Sequence, residues 1–302
     1  MPVSHVVLGA GPVGRAVIAA LQARGVEPAV VTRSGTSVDG AVSRPADFTD
    51  PASAAAAVAG ADIVFQCAAP PYHRWPEQFP ALQARAVDAA ASAGALLVVA
   101  DNLYGYGPTN GLITENLPLA ATARKGIVRA QLARDLFAAY ESGRVRAVAG
   151  RASDFFGPGV EGSVVGARFF RAVKAGKAAE ITGNPDRLHT YTYIKDFGEA
   201  LVRLSETPST WGRAWHVPNS PTVSTRAFAE RAAAIAGTTP RLRRLGSLQL
   251  RMIGVFMPVV REMIEMQYEF EQDWVVDHTA YAYVFGDHAT PLADALAATL
   301  AA

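Results

Sequence analysis

The sequence of 302 residues predicts an α/β fold, a Rossmann-like arrangement of a doubly wound parallel sheet with a smaller C-terminal lobe. Three observations predict it. Short apolar runs rich in Val and Ile alternate with longer Ala-rich stretches through the first 150 residues. A Gly-rich segment, Gly9-Ala10-Gly11-Pro12-Val13-Gly14, stands between the first apolar run and the first helical stretch. Beyond Arg151 the chain grows richer in Pro, Gly and aromatic residues, which marks a change of architecture.

In chain order, the runs at 5–10, 28–32, 62–67, 95–100 and 145–150 read as strands, since each is short, apolar and bounded by turn formers. Between them 13–24, 51–59, 77–93 and 122–142 read as helices, the first opened by Gly-Pro and several closed by Gly. In the second half, helices are predicted at 164–175, 196–205, 225–236 and 259–270. The expected division is a nucleotide-binding domain over 1–150 and, over 151–302, a mixed region that completes the sheet and forms a substrate lobe.

Composition narrows the function. Lys plus Arg (28) nearly balances Asp plus Glu (27), and no basic stripe carries interleaved aromatics, so neither nucleic acid nor an anionic membrane is an expected partner. Apolar stretches are interrupted well before the ~18 residues of a membrane span. The run 3–10 is too short for a secretory leader, so a soluble, cytoplasmic protein acting on a small molecule is expected. The single Cys67 cannot form an internal disulfide and reads as a buried core residue. The six His show no ligand-like spacing, so no metal is expected.

The glycine segment follows a strand and opens a helix, the context in which GxGxxG binds a dinucleotide. Gly9 permits the tight turn, Gly11 lets a pyrophosphate approach the backbone, and Gly14 lets helix and strand pack closely. Pro12 and Val13 begin the helix whose N-terminus faces the phosphates. At the end of the second strand a site for NAD usually has an acidic residue, but here the chain reads Thr32-Arg33-Ser34. No carboxylate repels a phosphate there, and Arg33 with Ser34 suits a 2′-phosphate, so NADP(H) is favoured over NAD(H).

These glycines, Asp47-Phe48 after a short strand, Ala68-Ala69, the Tyr104-Gly105 pair and the segment from Arg151 to Gly157-Pro158 together resemble the extended short-chain dehydrogenase/reductase family. Nucleotide-sugar epimerases and dehydratases are its familiar members. The resemblance implies that Asp47 and Phe48 lie near the adenine and that Ala68, Ala69 and Pro70 flank the cofactor. It also implies a homodimer formed through the helices near 77–93 and 122–142, although Ala-rich helices pack internally just as readily.

Family catalysis uses a Ser or Thr shortly before the Tyr-Gly pair and a Tyr-x-x-x-Lys on the next helix, where the ammonium lowers the phenol's pKa. Here those positions carry Ala100, Lys125 and Arg129. The chain therefore resembles the atypical members, which keep the cofactor site without the Ser-Tyr-Lys set. One literal match, Tyr191-Thr192-Tyr193-Ile194-Lys195, reads as a strand, on which residues four apart are separated by about 13 Å rather than one helical turn.

Lys125 and Arg129, at i and i+4, put an amine and a guanidinium on one helical face. Lys125 is a candidate proton donor and Arg129 a candidate ribose ligand, with Tyr104 a second candidate acid. Following the fourth strand, Asn102, Tyr104 and Tyr106 are candidates to meet substrate, as are Tyr72 and Trp75 in the Pro-stiffened loop after the third strand. His73 beside them is a weaker proton-shuttle candidate. From the second lobe the family architecture implies approaches by Asp154, Phe155, His189 and Tyr191. Residues 252–257 with Met263 and Met266 suggest an adaptable apolar wall or plain core. Glu262, Glu265, Glu269 and Glu271 read as a solvated face.

The leading functional expectation is an NADP(H)-dependent oxidoreductase that reduces a carbonyl, imine or activated alkene of a small, partly apolar molecule. Two alternatives stay open: a sugar-nucleotide epimerase or dehydratase, and a non-catalytic NADP(H)-binding redox sensor.

Overall fold

A computed structural model of the chain describes residues 3–246 and 264–302. The expected wall at 252–257, Met263, Glu262 and most of the helix predicted at 259–270 lie outside these residues; within them Tyr268–Glu271 is helical. Contacts divide the chain into two units. The first comprises residues 1–105, 124–151 and 197–215, and the second 106–123, 152–196 and 216–302.

The first unit is built on strands β1 (His5–Leu8), β2 (Ala29–Thr32), β3 (Val42–Pro45), β4 (Ile63–Gln66) and β5 (Leu96–Asn102). With Arg146–Ala152 and Ala214–His216 they form one seven-stranded sheet. From one edge the order is Ala214–His216, Arg146–Ala152, β5, β4, β1, β2, β3. The β1–β2, β1–β4, β2–β3 and β4–β5 pairs are all parallel. Crossing from β1 outward in both directions is the doubly wound pattern, and it brings the C-terminal ends of β1 and β4 side by side, with Leu8 opposite Gln66.

Both β1 and β4 are buried along their whole length, which explains their unbroken apolar runs. Helices α1 (Pro12–Gln22), α2 (Pro51–Val58), α3 (Trp75–Ala93) and α4 (Arg124–Glu141) connect the strands. Proline at the start suits α1, α2 and α3, because the first turn has no use for its missing N–H. The Asp50 side chain caps α2 by accepting from Ser53 N at 2.8 Å. Alanine does the packing: Ala54 and Ala57 of α2, Ala86 and Ala90 of α3 and Ala139 of α4 join Val6, Leu8, Val64 and Leu97 in one core.

The second unit is made of short pairings. Asp154–Phe156 runs parallel to Tyr191–Tyr193, Ala179–Ile181 to Leu242–Arg244, and Leu112–Ile113 to Val275–Val276. Leu188–His189 pairs antiparallel with Val223–Ser224. Its core is aromatic, with Phe156, Phe169, Phe170 and Tyr191 each packed against Phe228. The helix Thr225–Ala236 fills its predicted span, capped by Ser224 and ended by Gly237 in the left-handed region.

The two units are not made of single stretches of chain. Residues 106–123 leave the sheet unit early, and residues 197–215 return to it and supply its edge strand. That edge strand, Ala214–His216, is too short to register as a periodic pattern. The helix Ile194–Glu206 carries Gly198, where a Cβ would come within 2.5 Å of the Ala16 backbone of α1. Gly198→Ala is therefore expected to force α1 and this helix apart at a cost of about 1–3 kcal/mol, read as a lowered urea midpoint with an unchanged m-value.

Candidate functional site

The turn after β1 is shaped by glycine. Gly9 has φ +100°, and a Cβ there would sit 2.9 Å from Ala68 Cα. A Cβ on Gly14 would collide with the Gly9 carbonyl, whereas one on Gly11 would meet open space. Helix α1 starts at Pro12 with Gly11 as its cap residue and no side chain bonded to its first N–H groups. The result is an uncovered helix N-terminus with a smooth backbone approach, where Val13 and Gly14 begin the run of amides, a geometry suited to a diphosphate. Gln66, opposite Leu8, is buried with neither amide atom bonded to protein.

At the end of β2, Thr32 is half-buried, and Arg33 and Ser34 are exposed. Thr32 Oγ1 accepts from Thr36 N at 2.7 Å, and the Ser34 and Thr36 hydroxyls lie 2.8 Å apart. Asp47 accepts from the backbone N–H and the hydroxyl of Thr49, both at 2.8 Å. Those bonds hold its carboxyl below the usual range, and the charge of nearby Arg33 adds to the effect. Phe48 is buried in the sheet core. On the other side of the glycine turn, Ala68 is half-buried, Ala69 is exposed, and the Pro70 carbonyl accepts from Trp75 Nε1 at 3.1 Å. Cys67 is half-buried rather than enclosed in the core, and burial pushes its thiol up.

The second focus lies where β5 ends beside α4. Lys125 and Arg129 are both buried on α4, the amine completely so. Arg129 Nη2 pairs with Asp101 Oδ1 at 2.7 Å, and Arg129 also donates to Asn102 Oδ1 and to the Ala100 carbonyl, each at 3.2 Å. Arg151 Nε reaches the other Asp101 oxygen at 2.8 Å. Burial alone would raise the Asp101 carboxyl, but the two guanidiniums with an Asn102 N–H outweigh it and hold it below the usual range.

Aromatic rings complete this focus. Lys125 Nζ stands 4.5 Å from the Tyr72 ring centroid, and the Arg129 guanidinium 5.4 Å and 4.9 Å from those of Trp75 and Phe79. Trp75 contacts Tyr72 at 4.9 Å and Tyr104 at 6.1 Å between centroids, and Asn102 Oδ1 accepts from Tyr104 N. Six expected residues are thus gathered in one place: Tyr72, Trp75, Asn102, Tyr104, Lys125 and Arg129. His73 is exposed in the turn beside them. Asp101 was not anticipated as their centre; its sequence signal is an acid at a strand end in a chain that also offers buried arginines.

The remaining candidates belong to the second unit. Tyr106 is buried, with its hydroxyl 2.8 Å from His216 Nε2. His216 Nδ1 faces the Asp277 carbonyl at 2.8 Å. A carbonyl only accepts, so Nδ1 carries a proton. Tyr191 is buried with its hydroxyl at Thr225, and burial pushes its phenol up. It lies on a strand, whereas exposed Lys195 opens a helix, so the literal Tyr-x-x-x-Lys does not share one helical face. Phe155 is half-buried between Asp154 and Phe156. His189 Nε2 lies 3.0 Å from Asp154 Oδ2, its Nδ1 3.2 Å from the Glu269 carbonyl, and its ring stacks on Phe270.

The solvated acidic face is corrected at Glu269. Glu271 is exposed and pairs with Arg244, and Glu265 is half-buried, but Glu269 is 1% exposed and its Oε1 has no hydrogen-bond partner. Burial, reinforced by the charge of Asp154, pushes its carboxyl well above the usual range. Among the described residues no group of three or more His, Cys, Asp or Glu could hold a metal ion, and no helix is long and apolar enough to cross a membrane.

Residues 5–217 match the model of the NAD dependent epimerase/dehydratase family. No curated protein matches. Among solved structures, UDP-N-acetylglucosamine 4-epimerase from Bacillus cereus is 16% identical, with 99% of this chain and 96% of that chain covered and a TM-score of 0.76. A dTDP-glucose 4,6-dehydratase from Streptomyces venezuelae, solved with NAD and DAU bound, is 16% identical over 98% and 95%, with a TM-score of 0.80. MoeE5, in complex with UDP-glucuronic acid and NAD, is 20% identical over 99% and 98%, with a TM-score of 0.78. At such identities the likeness is one of fold.

Two consequences are measurable. Asp101→Asn leaves two buried guanidiniums without their carboxylate and is expected to cost roughly 3–5 kcal/mol in urea denaturation. Glu269 keeps its proton in the fold at pH values where the unfolded chain releases it, so its contribution to stability falls as pH rises from the ordinary carboxylate range toward its raised value. Glu269→Gln, neutral throughout, is expected to melt above the parent protein near pH 8 and to lose that advantage near pH 4.

Proposed function

The chain belongs to the NAD-dependent epimerase/dehydratase family, and from that premise we propose that it is an NADP(H)-dependent oxidoreductase reducing a carbonyl, imine or activated alkene. The observation that carries this reading is the buried Lys125, on the family's tyrosine position, beside the Asp101-bound Arg129. Oxidising a hydroxyl, as an epimerase must, begins with a positioned base. Reduction ends with an anion that needs a proton or a compensating charge, and an ammonium supplies either.

In this reading the backbone from Gly9 through Gly11, Pro12 and Val13 to Gly14 holds the diphosphate. Thr32, Arg33 and Ser34 take the 2′-phosphate, Asp47 and Phe48 border the adenine, and Ala68, Ala69 and Pro70 flank the remainder. The bound nicotinamide supplies the hydride. Lys125 steadies the developing anion and donates the proton, with Tyr104 as the nearby second donor. Arg129, committed to Asp101, Asn102 and Ala100, holds the strand end rather than reaching freely for a ribose. Half-buried Trp75 and Tyr104 offer ring faces suited to a partly apolar substrate. The second reading, a sugar-nucleotide epimerase or dehydratase, is favoured by the fold likeness to enzymes of that kind. The homodimer that the family resemblance implies would use α3 and α4, whose groove is lined by Gln83, Val87, Leu132 and Leu136.

Fluorescence titration with NADPH and NADH tests the cofactor. NADPH is expected to bind at least about tenfold more tightly, and Arg33→Ala to remove that margin, a difference of ~1.4 kcal/mol. Equal affinities in the parent protein would remove the role given to Arg33. In a panel of carbonyl substrates with NADPH, Lys125→Met is expected to lower kcat by about 10²–10⁴ with cofactor affinity unchanged. Unchanged turnover would reject Lys125 as the acid, and epimerisation of a UDP-sugar would favour the second reading.

A further inference from the structure

A lysine makes a poor fixed acid unless something holds it, because its ammonium rides on a flexible four-carbon stem. The chain's other lysines, Lys174, Lys177 and Lys195, are exposed, and only Lys125 is buried. One contact that the geometry gives its ammonium is an aromatic face. Tyr72 lies in the single turn Tyr72–Arg74, which runs directly into α3, and its ring centroid is 4.5 Å from Lys125 Nζ.

The ring is itself held. Pro70 and Pro71 precede it, Trp75 packs edge-on against it at 4.9 Å, and Trp75 Nε1 donates back to the Pro70 carbonyl. Trp75 leans on Phe79 at 5.3 Å between centroids, and both lie against the Arg129 guanidinium. Tyr72, Trp75 and Phe79, at i, i+3 and i+7, form one stripe running into α3. Lys125 and Arg129, at i and i+4, form the facing stripe on α4. The two stripes meet as two rungs, Tyr72 with Lys125 and Trp75–Phe79 with Arg129.

Resting on the assignment of Lys125 as the acid, we infer that Tyr72 is its positioning residue, holding the ammonium through the π face of the ring. The face attracts the cation and fixes its location, and the rigid turn sets where that face lies. Tyr72 then acts through Lys125, and its loss should move kcat rather than the cofactor's affinity.

Tyr72→Phe keeps the ring and Tyr72→Leu removes it. In protein labelled with ¹³C-lysine, Lys125 is assigned by the signal missing in Lys125→Met, and its methylene protons are expected upfield in the ring's shielding cone. Tyr72→Phe should keep that position, and Tyr72→Leu should return the signal toward those of the exposed lysines. In the carbonyl panel with NADPH, Tyr72→Phe should stay within about twofold of the parent kcat and Tyr72→Leu fall about tenfold, with NADPH affinity and melting temperature held for both. An unmoved Lys125 signal in Tyr72→Leu overturns the inference, as does a Phe variant as impaired as the Leu variant. If Lys125→Met keeps its turnover, the assignment of the acid fails, while the spectrum still decides whether Tyr72 holds the ammonium.

Discussion

A single buried carboxylate organises the end of the sheet where β5 meets α4. Asp101 stands near the end of β5, one oxygen on Arg129 of α4 and the other on Arg151 of the neighbouring strand. A charge removed from water needs compensation in a fixed geometry, and two guanidiniums give it. The same bonds fix the rotation of α4 about its axis, because Arg129 cannot leave Asp101 without breaking a buried ion pair and leaving its own charge without a carboxylate. Lys125, one turn earlier on the same face, is carried into the interior as a consequence. Its burial reflects the register of the helix more than any attraction of a lysine for apolar surroundings.

The glycine turn is a constraint of another kind, made by close approach rather than charge. Gly14 touches the Gly9 carbonyl closely enough to exclude any side chain, and Gly9 combines a left-handed φ with contact to Ala68. These two positions bind β1, α1 and the end of β4 into one rigid corner. Gly11, with open space beside it, has no such packing role, and its lack of a side chain leaves the helix N-terminus accessible. Three glycines in one motif thus carry three different physical reasons.

The fold was legible where one residue pattern serves one purpose. The strands β1, β2, β4 and β5 lie within a residue or two of their apolar runs, and α1 to α4 follow the Ala-rich stretches between Gly and Pro. Pairings of two or three residues, such as Leu112–Ile113 with Val275–Val276, carry too little periodicity to be seen. The positions of Ala100, Lys125 and Arg129 were legible by spacing alone, but their environment was not. Nothing in the order Asp101-Asn102 says that the acid turns inward to meet arginines 28 and 50 residues away. Glu269 shows the converse: acids at 262, 265, 269 and 271 have the look of a wetted face, but burial, with Asp154 nearby, pushes the carboxyl of Glu269 well above the usual range, a shift that composition cannot register.

The exchange at the three family positions follows one electrostatic logic on the proposed reading. A phenol paired with a lysine can both take and give a proton, because the ammonium makes the phenolate accessible. Replacing the phenol by Lys125 and the lysine by Arg129 leaves no comparable base on that face. An ammonium can donate and then stand neutral against an aromatic ring, but a guanidinium cannot be deprotonated and so serves only as scaffold. Replacing the serine by Ala100 removes a hydroxyl that would otherwise contend for the same substrate oxygen. On that reading the three changes together turn a reversible acid–base pair into a directed donor with a fixed support, and Asp101 holds that support through its ion pair with Arg129.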